Sequence, residues 1–555
     1  MLILCWNVAG LSTTVHKIND LYGRGKKRKP SVVLSEYFDR HGADIICIQE
    51  HKIPHSQLSS RSEPLGCSSI DDYESFWSCC IDAKKKGLNG VVTYVKNGVG
   101  VKSANSRPLG GADLDDQGRC IMTDHGKFVL FNVYVPASSG QPLSYKMKFL
   151  NALRRAMQRQ RGLGKEVVLV GDLNISHAKL DKFWSDRVLC INDILRESVT
   201  GIRGDFPEWK RQIVHAWPKI QEALETKSVV PTKTTNSQNN KTYDKFRMKV
   251  DVDGKMVFLG SHESDPRYCE YRYNFDSMSY VCEETDEVIQ VEEENVACVS
   301  TISELMVKVA GIDWDESTQR QVGECAGVSR MAPPRVWLDR VIQVDSMMDA
   351  MRQFHASAAG RYTCWNQLTN RRYYNEGARI DYTLVDKSFF KYVKRGKVES
   401  LRVHPAGPDD PNSEEAAACV ATANGGFQAV SFQGGGIVEA SQEVLETQFG
   451  EPHTGLIYTP PSFSDHIAIS LLLDDECLTL SLAVDKSDSP TRKAQPHNSQ
   501  KTIASFFAAA SSTAEKQKSA SSASRLRVGK PAKKDSGIKR FFVQPSSSSS
   551  KKRKL

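Results

Sequence analysis

Asp172 and Asn174 stand two residues apart at the end of an apolar run, Glu166-Val-Val-Leu-Val-Gly-Asp172-Leu-Asn174. On a strand, that spacing puts a carboxylate and an amide on one face. One can act on a water while the other holds a substrate oxygen. A turn after a buried strand fits the same letters. Three further strand ends weigh against the plainer reading. Asp44-Ile-Ile-Cys-Ile-Gln49-Glu50 ends in a carboxylate. Asp381 lies inside the apolar strand that follows Arg379, where a lone carboxylate is costly without a partner. Asp465 and His466 open the buried run Ile-Ala-Ile-Ser-Leu. Asn7, after Leu2-Ile-Leu-Cys-Trp, and Tyr134, after Phe128-Val-Leu-Phe-Asn-Val, complete the set. Singly, Asn7 suits a turn cap, Tyr134 a half-buried core position and Asp465-His466 a local cap. Six polar strand ends in one chain point to a shared site.

The elements that must position these groups alternate between apolar strands and amphipathic helices, which predicts a layered α/β architecture. Helices are expected over Pro30–His41 and Ser144–Gln160. Strands are expected over Phe76–Cys80, Gly90–Lys96, Cys120–Thr123, Phe128–Tyr134, Glu166–Val170 and Arg379–Val385. Residues 203–332 and 404–456 break the pattern and read as insertions. The first is partly helical near Asp205–Leu224, and disorder is expected for the rest.

With 40% apolar residues, the 555-residue chain can bury one large domain and carry extensions. No apolar run approaches the ~18 residues of a membrane span. The first strand is expected to begin at Leu2, so a secretory or mitochondrial presequence is not expected within these residues. The 14 cysteines include no C-x-x-C pair, so reduced thiols are expected and a structural zinc module is not. The net charge of +8 is uneven. From Asp485 onward 17 Lys or Arg face 4 Asp or Glu, a tail of +13 that leaves −5 for the rest. This tail (484–555) is rich in Ser, Ala and Lys and is expected to be disordered.

In chain order stand Trp6-Asn7-Val-Ala-Gly10, Gln49-Glu50, Tyr134-Val-Pro136, Gly171-Asp172-Leu-Asn174, Arg379-Ile-Asp381-Tyr382 and Ser464-Asp465-His466. This ordered set resembles the exonuclease III branch of the endonuclease/exonuclease/phosphatase superfamily, over about residues 1–475. Asp116-Gln-Gly-Arg119-Cys and Tyr134-Val-Pro-Ala-Ser-Ser look like the second type of eukaryotic AP endonuclease. The resemblance implies a four-layer, two-sheet β-sandwich flanked by helices. It implies a Mg²⁺-dependent base excision repair nuclease, with Mn²⁺ able to substitute. Such an enzyme cuts 5′ to abasic sites and trims 3′ ends of damaged or recessed DNA. It further implies Glu50 as central metal ligand, positioned by Asn7, with Asp172, Asn174 and His466 at the same cluster and Asp465 as a second metal contact. Asp172 would orient and deprotonate water, and Asn174 would hold a phosphate oxygen. His466, backed by Asp381, would donate to a non-bridging oxygen, and Tyr134 would bind phosphate or assist the leaving group.

The chain departs from the family at several places. Ala9 stands where the first type of AP endonuclease has a second acidic ligand, and Ala137 where an Asn is common. Cys364, Ala378 and Ile380 align with larger sugar-pocket residues, which implies that 3′-end trimming rivals or exceeds cleavage at abasic sites. Many members end in a zinc module that is lacking here. Arg24-Gly-Lys-Lys-Arg-Lys29 is a basic loop that touches the DNA backbone or is simply solvated.

In the tail, Gln500, Ile503, Phe506 and Phe507 resemble the box that binds the DNA sliding clamp (PCNA), the last three forming an apolar plug on one helical turn. Residues 535–542 are a degenerate second copy, in which Asp535 replaces the Gln. Lys551-Lys-Arg-Lys554 looks like a nuclear import signal, so a nuclear, membrane-free monomer is expected. Two readings compete: a lipid or inositol phosphodiesterase, and a non-catalytic clamp-bound scaffold. Neither explains the clamp box and the complete polar set together.

Overall fold

The computed structural model describes residues 1–23, 25–58, 66–82, 87–137, 143–200, 206–226, 296–328, 332–367, 371–396 and 449–478. Short strand segments between 234 and 290 and between 417 and 439 are also described. Strand β1 (Leu2–Asn7) is buried at all six positions, so it has no solvent face. Ile3 and Cys5 enter a core between two sheets. Leu2, Leu4 and Trp6 enter a second core beneath helices α1 (Leu11–Tyr22) and α2 (Pro30–Arg40). A strand covered on both faces reads as a continuous apolar run rather than an alternating one, as this one does.

One sheet is built around β1 and β2 (Ile45–Gln49), which pair in parallel from Ile3↔Ile45 to Asn7↔Gln49. Beyond β2 come antiparallel β4 (Val91–Lys96) and β3 (Tyr73–Ser78). The other sheet includes β5 (Ser103–Asn105), β6 (Cys120–Asp124), β7 (Phe128–Tyr134), β8 (Glu166–Asp172), β9 (Met347–Asp349) and β12 (Asp381–Asp386). Its order is β9-β12-β8-β7-β6-β5, with β7 and β8 parallel from Phe128↔Glu166 to Tyr134↔Asp172. The short pair β10 (Cys364–Trp365) and β11 (Gly377–Ala378) lies off this path. On the far side of β1, antiparallel β15 (Ala468–Leu473) carries β13 (Val393–Lys394) and β14 (Gly455–Ile457).

Alternation along β7 shows the layering. Phe128 and Leu130 face the other sheet, while Val129, Phe131 and Val133 face α3 (Leu143–Gly162) and a further helix, Pro333–Gln343. The result is helix, sheet, sheet, helix, as the family resemblance implies. Leu130→Ala would lose transfer energy and leave a cavity, at a cost of about 2–5 kcal/mol.

The first insertion contributes to this body at both ends. Helix α4 (Glu208–Glu225) buries Trp209, Ile213, Trp217 and Ile220. They pack with Ile302 and Leu305 of α5 (Val299–Leu305) and with Val322 of α6 (Glu316–Cys325). The helix expected near Asp205–Leu224 is present, and the expectation of disorder fails at the second flank, where Ile302, Leu305 and Val322 supply the apolar area that ordering requires. The middle of that insertion, most of 404–456 and the entire tail lie outside the described side chains. So do the clamp box, its second copy and the basic end. Helices α1 and Pro333–Gln343 went unanticipated, although Pro at the start of the latter is a helix-opening signal. The 11 cysteines whose side chains are described are free, and no described helix is long and apolar enough to cross a membrane.

Candidate active site

Parallel pairing places the ends of neighbouring strands side by side. Asn7 ends β1 and Glu50 directly follows β2, while Tyr134 and Asp172 end β7 and β8. Asp381, at the start of antiparallel β12, is in register with Asp172, and His466 stands two residues before β15. The motif glycine has a specific task. Gly171 takes φ +137°, and a Cβ there would lie 2.0 Å from the Val133 carbonyl oxygen. Ala9, Glu50, Lys52 and Asn174 all adopt left-handed backbone, with φ between 50° and 56°. Such conformations cost of order 1–3 kcal/mol each and persist only where surrounding contacts fix them.

The contacts are direct. The Asn7 amide donates to Glu50 Oε1 and to Asp172 Oδ2, both at 3.0 Å, while its oxygen accepts from Ala9 N–H. Asn174 donates to Asp172 Oδ2 at 3.2 Å and to the Val135 carbonyl at 3.0 Å. His466 Nδ1 meets Asp381 Oδ2 at 2.8 Å, and its Nε2 faces Asp172 Oδ2 at 3.9 Å. The other oxygen of Asp381 is buried and has no hydrogen-bond partner. The Tyr134 hydroxyl bonds Glu50. Ser464 ties the Asp465-His466 turn to β1 by donating to the Asn7 carbonyl at 2.7 Å, and Trp6 Nε1 donates to the His466 carbonyl at 3.1 Å.

Burial, reinforced by Asp381, raises the Asp172 carboxyl to about 7, against the pull of His466. Burial would also lift Glu50, but Lys52 and the Asn7 amide bring it below its ordinary value. Burial opposes the charged form of His466, yet Asp381 and Cys364 hold its pKa well above the usual imidazole range. The phenol of Tyr134 is driven up by burial and by Glu50. A protonated imidazole, a carboxylate poised near neutrality and a cluster of oxygen donors suit activating a water beside an anionic ester.

The geometry unites all six predicted strand ends. It also brings Cys364 against Ala378, as cross-strand partners, and Cys364 against His466 across a further bridge. Ile380 lies beside them, its N–H donating to Thr363 Oγ1. Three neighbours were missed. Lys52 Nζ is 3.0 Å from Glu50 Oε2 and 2.9 Å from the Ala9 carbonyl. Its spacing of two from Glu50 was the available signal. Lys146 is buried under the site, donates to the Asn174 carbonyl at 2.7 Å and is brought down to about 8 by burial. Arg119 was part of a quoted motif but was given no role. Its guanidinium carbon lies 4.6 Å from the Tyr134 ring centroid, a cation–π contact.

Residues 4–220 match the endonuclease/exonuclease/phosphatase family. Among relatives, DNA-(apurinic or apyrimidinic site) endonuclease 2 of Schizosaccharomyces pombe is 27% identical over 248 residues, 39% of this chain and 43% of its own. The protein of the same name from Bos taurus is 26% identical over 229 residues, 34% and 42% of the two chains. An exodeoxyribonuclease of Bacillus subtilis is 27% identical over 190 residues, 33% and 61%. The chain thus spans less than half the length of the two AP endonuclease 2 relatives. The solved APE2 catalytic domain of Xenopus laevis aligns loosely, with a TM-score of 0.40 at 16% identity over 85% of this chain and 92% of its own. Residues 4–220 thus resemble the endonuclease/exonuclease/phosphatase family, and the chain is similar to AP endonuclease 2.

Proposed function

We propose that this protein is a divalent-metal-dependent DNA repair nuclease that cuts 5′ to abasic sites and trims 3′ ends. One observation carries the reading. Asp172, poised near neutrality, shares the Asn7 amide with Glu50 and faces an imidazole held by Asp381. That arrangement pairs a group able to take a proton from water with one able to donate to a phosphoryl oxygen. The names of the relatives support DNA as substrate, the AP endonucleases for internal sites and the exodeoxyribonuclease for ends.

The donor set fits Mg²⁺ or Mn²⁺. Oxygen atoms of Glu50, Asp172, Asn174 and Asp465 are hard ligands, and the unpartnered Asp381 oxygen marks a cluster short of positive charge. Glu50 is the proposed main ligand, with Asn7 holding its orientation. When bound, the metal neutralises charge on the phosphate and stabilises the leaving oxyanion. Asp172 takes the proton from water, and Asn174 steadies the attacked phosphate. His466 donates to a non-bridging oxygen, and Tyr134 contacts the phosphate beside Glu50. The small pocket formed by Cys364, Ala378 and Ile380 leaves room for a terminal nucleotide, which favours 3′-end trimming.

The tail supplies recruitment. Gln500, Ile503, Phe506 and Phe507 dock a sliding clamp, and the basic end directs the protein to the nucleus. A lone motif of this kind binds at about micromolar affinity and works by raising local concentration. Phe506→Ala with Phe507→Ala should remove most clamp binding in a titration while leaving cleavage of naked DNA unchanged.

The deciding assay uses the purified full chain with Mg²⁺ on three substrates: an internal abasic duplex, a 3′-recessed duplex and a lipid phosphodiester. Cleavage of both DNAs, with the recessed end at least as fast, supports the reading. Hydrolysis of the lipid alone overturns it.

A further inference from the structure

We propose that Cys364, Asp465 and His466 form a zinc site that captures the catalytic histidine and silences the enzyme. The inhibitory half rests on the nuclease reading above; the metal site stands without it. The side-chain donor atoms of these three residues all lie within 4.8 Å of one another. Two neighbouring backbone segments hold them. Cys364 and His466 are antiparallel bridge partners, Trp365 N–H donates to the Asp465 carbonyl at 3.1 Å, and Ile467 N–H donates to the Thr363 carbonyl at 2.9 Å. The ligands therefore need no rearrangement of the main chain to converge.

The donor types choose the metal. A thiolate, an imidazole and a carboxylate suit Zn²⁺, which takes three protein ligands at an open site and leaves a fourth position for water. Mg²⁺ prefers oxygen and competes poorly for sulfur and nitrogen. The histidine is already arranged for a soft ion. Asp381 holds Nδ1 at 2.8 Å, so a zinc ion would bond Nε2 by displacing its proton. A carboxylate behind the imidazole is the usual outer support of a histidine–zinc bond. A bound Zn²⁺ would take from catalysis the nitrogen that faces Asp172 and the carboxylate of Asp465. The site depends on Cys364, one of the positions where a larger side chain was expected from the family pattern.

The test has two readouts on the full chain. Co²⁺ is titrated into metal-free protein and followed by absorption. A thiolate-to-cobalt charge-transfer band, with strong visible bands of tetrahedral geometry, is expected in the wild type and absent in Cys364→Ser. Zn²⁺ is then titrated into the Mg²⁺-supported cleavage reaction, each variant normalised to its own zinc-free rate. The zinc concentration for half-inhibition should rise by at least about tenfold in Cys364→Ser, the lower end for disturbing even the outer shell of a metal site. Cys364→Ala serves if the serine variant does not fold. A thiolate band that persists in the variants assigns the metal to another cysteine and overturns the site. Cobalt binding through Cys364 without zinc inhibition overturns the silencing. If no DNA is cut at all, the nuclease reading falls while the cobalt spectrum still decides the site.

Discussion

Arg379 and Asp381 stand two positions apart, yet they belong to buried clusters of opposite character. Arg379 lies in a matched set. Its Nε is 2.7 Å from Asp181 Oδ1, its Nη2 is 2.6 Å from Asp349, and Arg352 adds a second guanidinium 2.5 Å from Asp181. Two cations answer two carboxylates. Burial alone would lift the Asp181 carboxyl, but Arg379 and Arg352 hold it far below the usual carboxylate range. Asp381 lies in an unmatched set with Asp172 and Glu50. His466 serves Asp381, Lys52 serves Glu50, and one Asp381 oxygen is left unpartnered. There Asp172 moves the other way, to about 7. Burial is common to both clusters; what differs is whether the fold supplies enough positive charge. Where it does, the carboxylates are structural. Where it does not, the deficit is what a catalytic cation would fill.

The largest effect expected from this contrast is on rate. Asp172→Asn should lower turnover by about 10²–10⁴-fold while leaving DNA binding, measured by fluorescence anisotropy, largely intact. A parallel loss of binding and rate would remove Asp172 from proton transfer. The next is on stability. Asp181→Asn leaves Arg379 and Arg352 under-compensated and should cost about 3–5 kcal/mol in denaturant unfolding. A stable Asp181→Asn protein would break the comparison outright.

Acid titration should separate the clusters by sign. Asp181 has a depressed folded pKa, so its contribution is present above its unfolded value of about 3.9 and is lost as pH falls through the folded value. Asp172 has a raised folded pKa. Its protonated form stabilises the fold below about 3.9, and that stability is lost as pH rises toward about 7. Without added metal, Asp172→Asn should therefore melt higher than the wild type at pH 8, and the gap should close below about pH 4. The smallest effect belongs to the pocket wall. Ala378→Trp should shift the ratio of abasic-site cleavage to 3′-end trimming by on the order of tenfold, toward abasic sites. An unchanged ratio would separate Ala378 from substrate.

Much of the unmatched cluster was legible because it breaks a pattern. A carboxylate or amide at the tip of an apolar run contradicts the burial around it, and Asn7, Glu50, Asp172, Asp381 and His466 were all found that way. The matched cluster broke no such rule. Asp181 sits in an ordinary polar segment, and its partner Arg379 is 198 residues away. Only folding brings them together. The same holds for Cys364 beside His466, and for Trp209 and Trp217, whose helix was expected but whose covering by α5 and α6 was not. Lys52 was within reach, since the spacing argument applied to Asp172 applies equally to Glu50.

The order of strands implies a consequence for how the site can fail. Each sheet repeats one scheme: an antiparallel strand (β15 or β12), an inner parallel strand (β1 or β8), its parallel partner (β2 or β7), then two antiparallel strands. The two sheets thus share one strand scheme, and the ends of equivalent strands meet between them. Asn7 touches Asp172, Glu50 touches Tyr134, and His466 touches Asp381. No residue of this sextet is positioned by its own sheet alone. A slip of one sheet against the other, caused by a core substitution far from any reacting atom, would disengage all three pairs together.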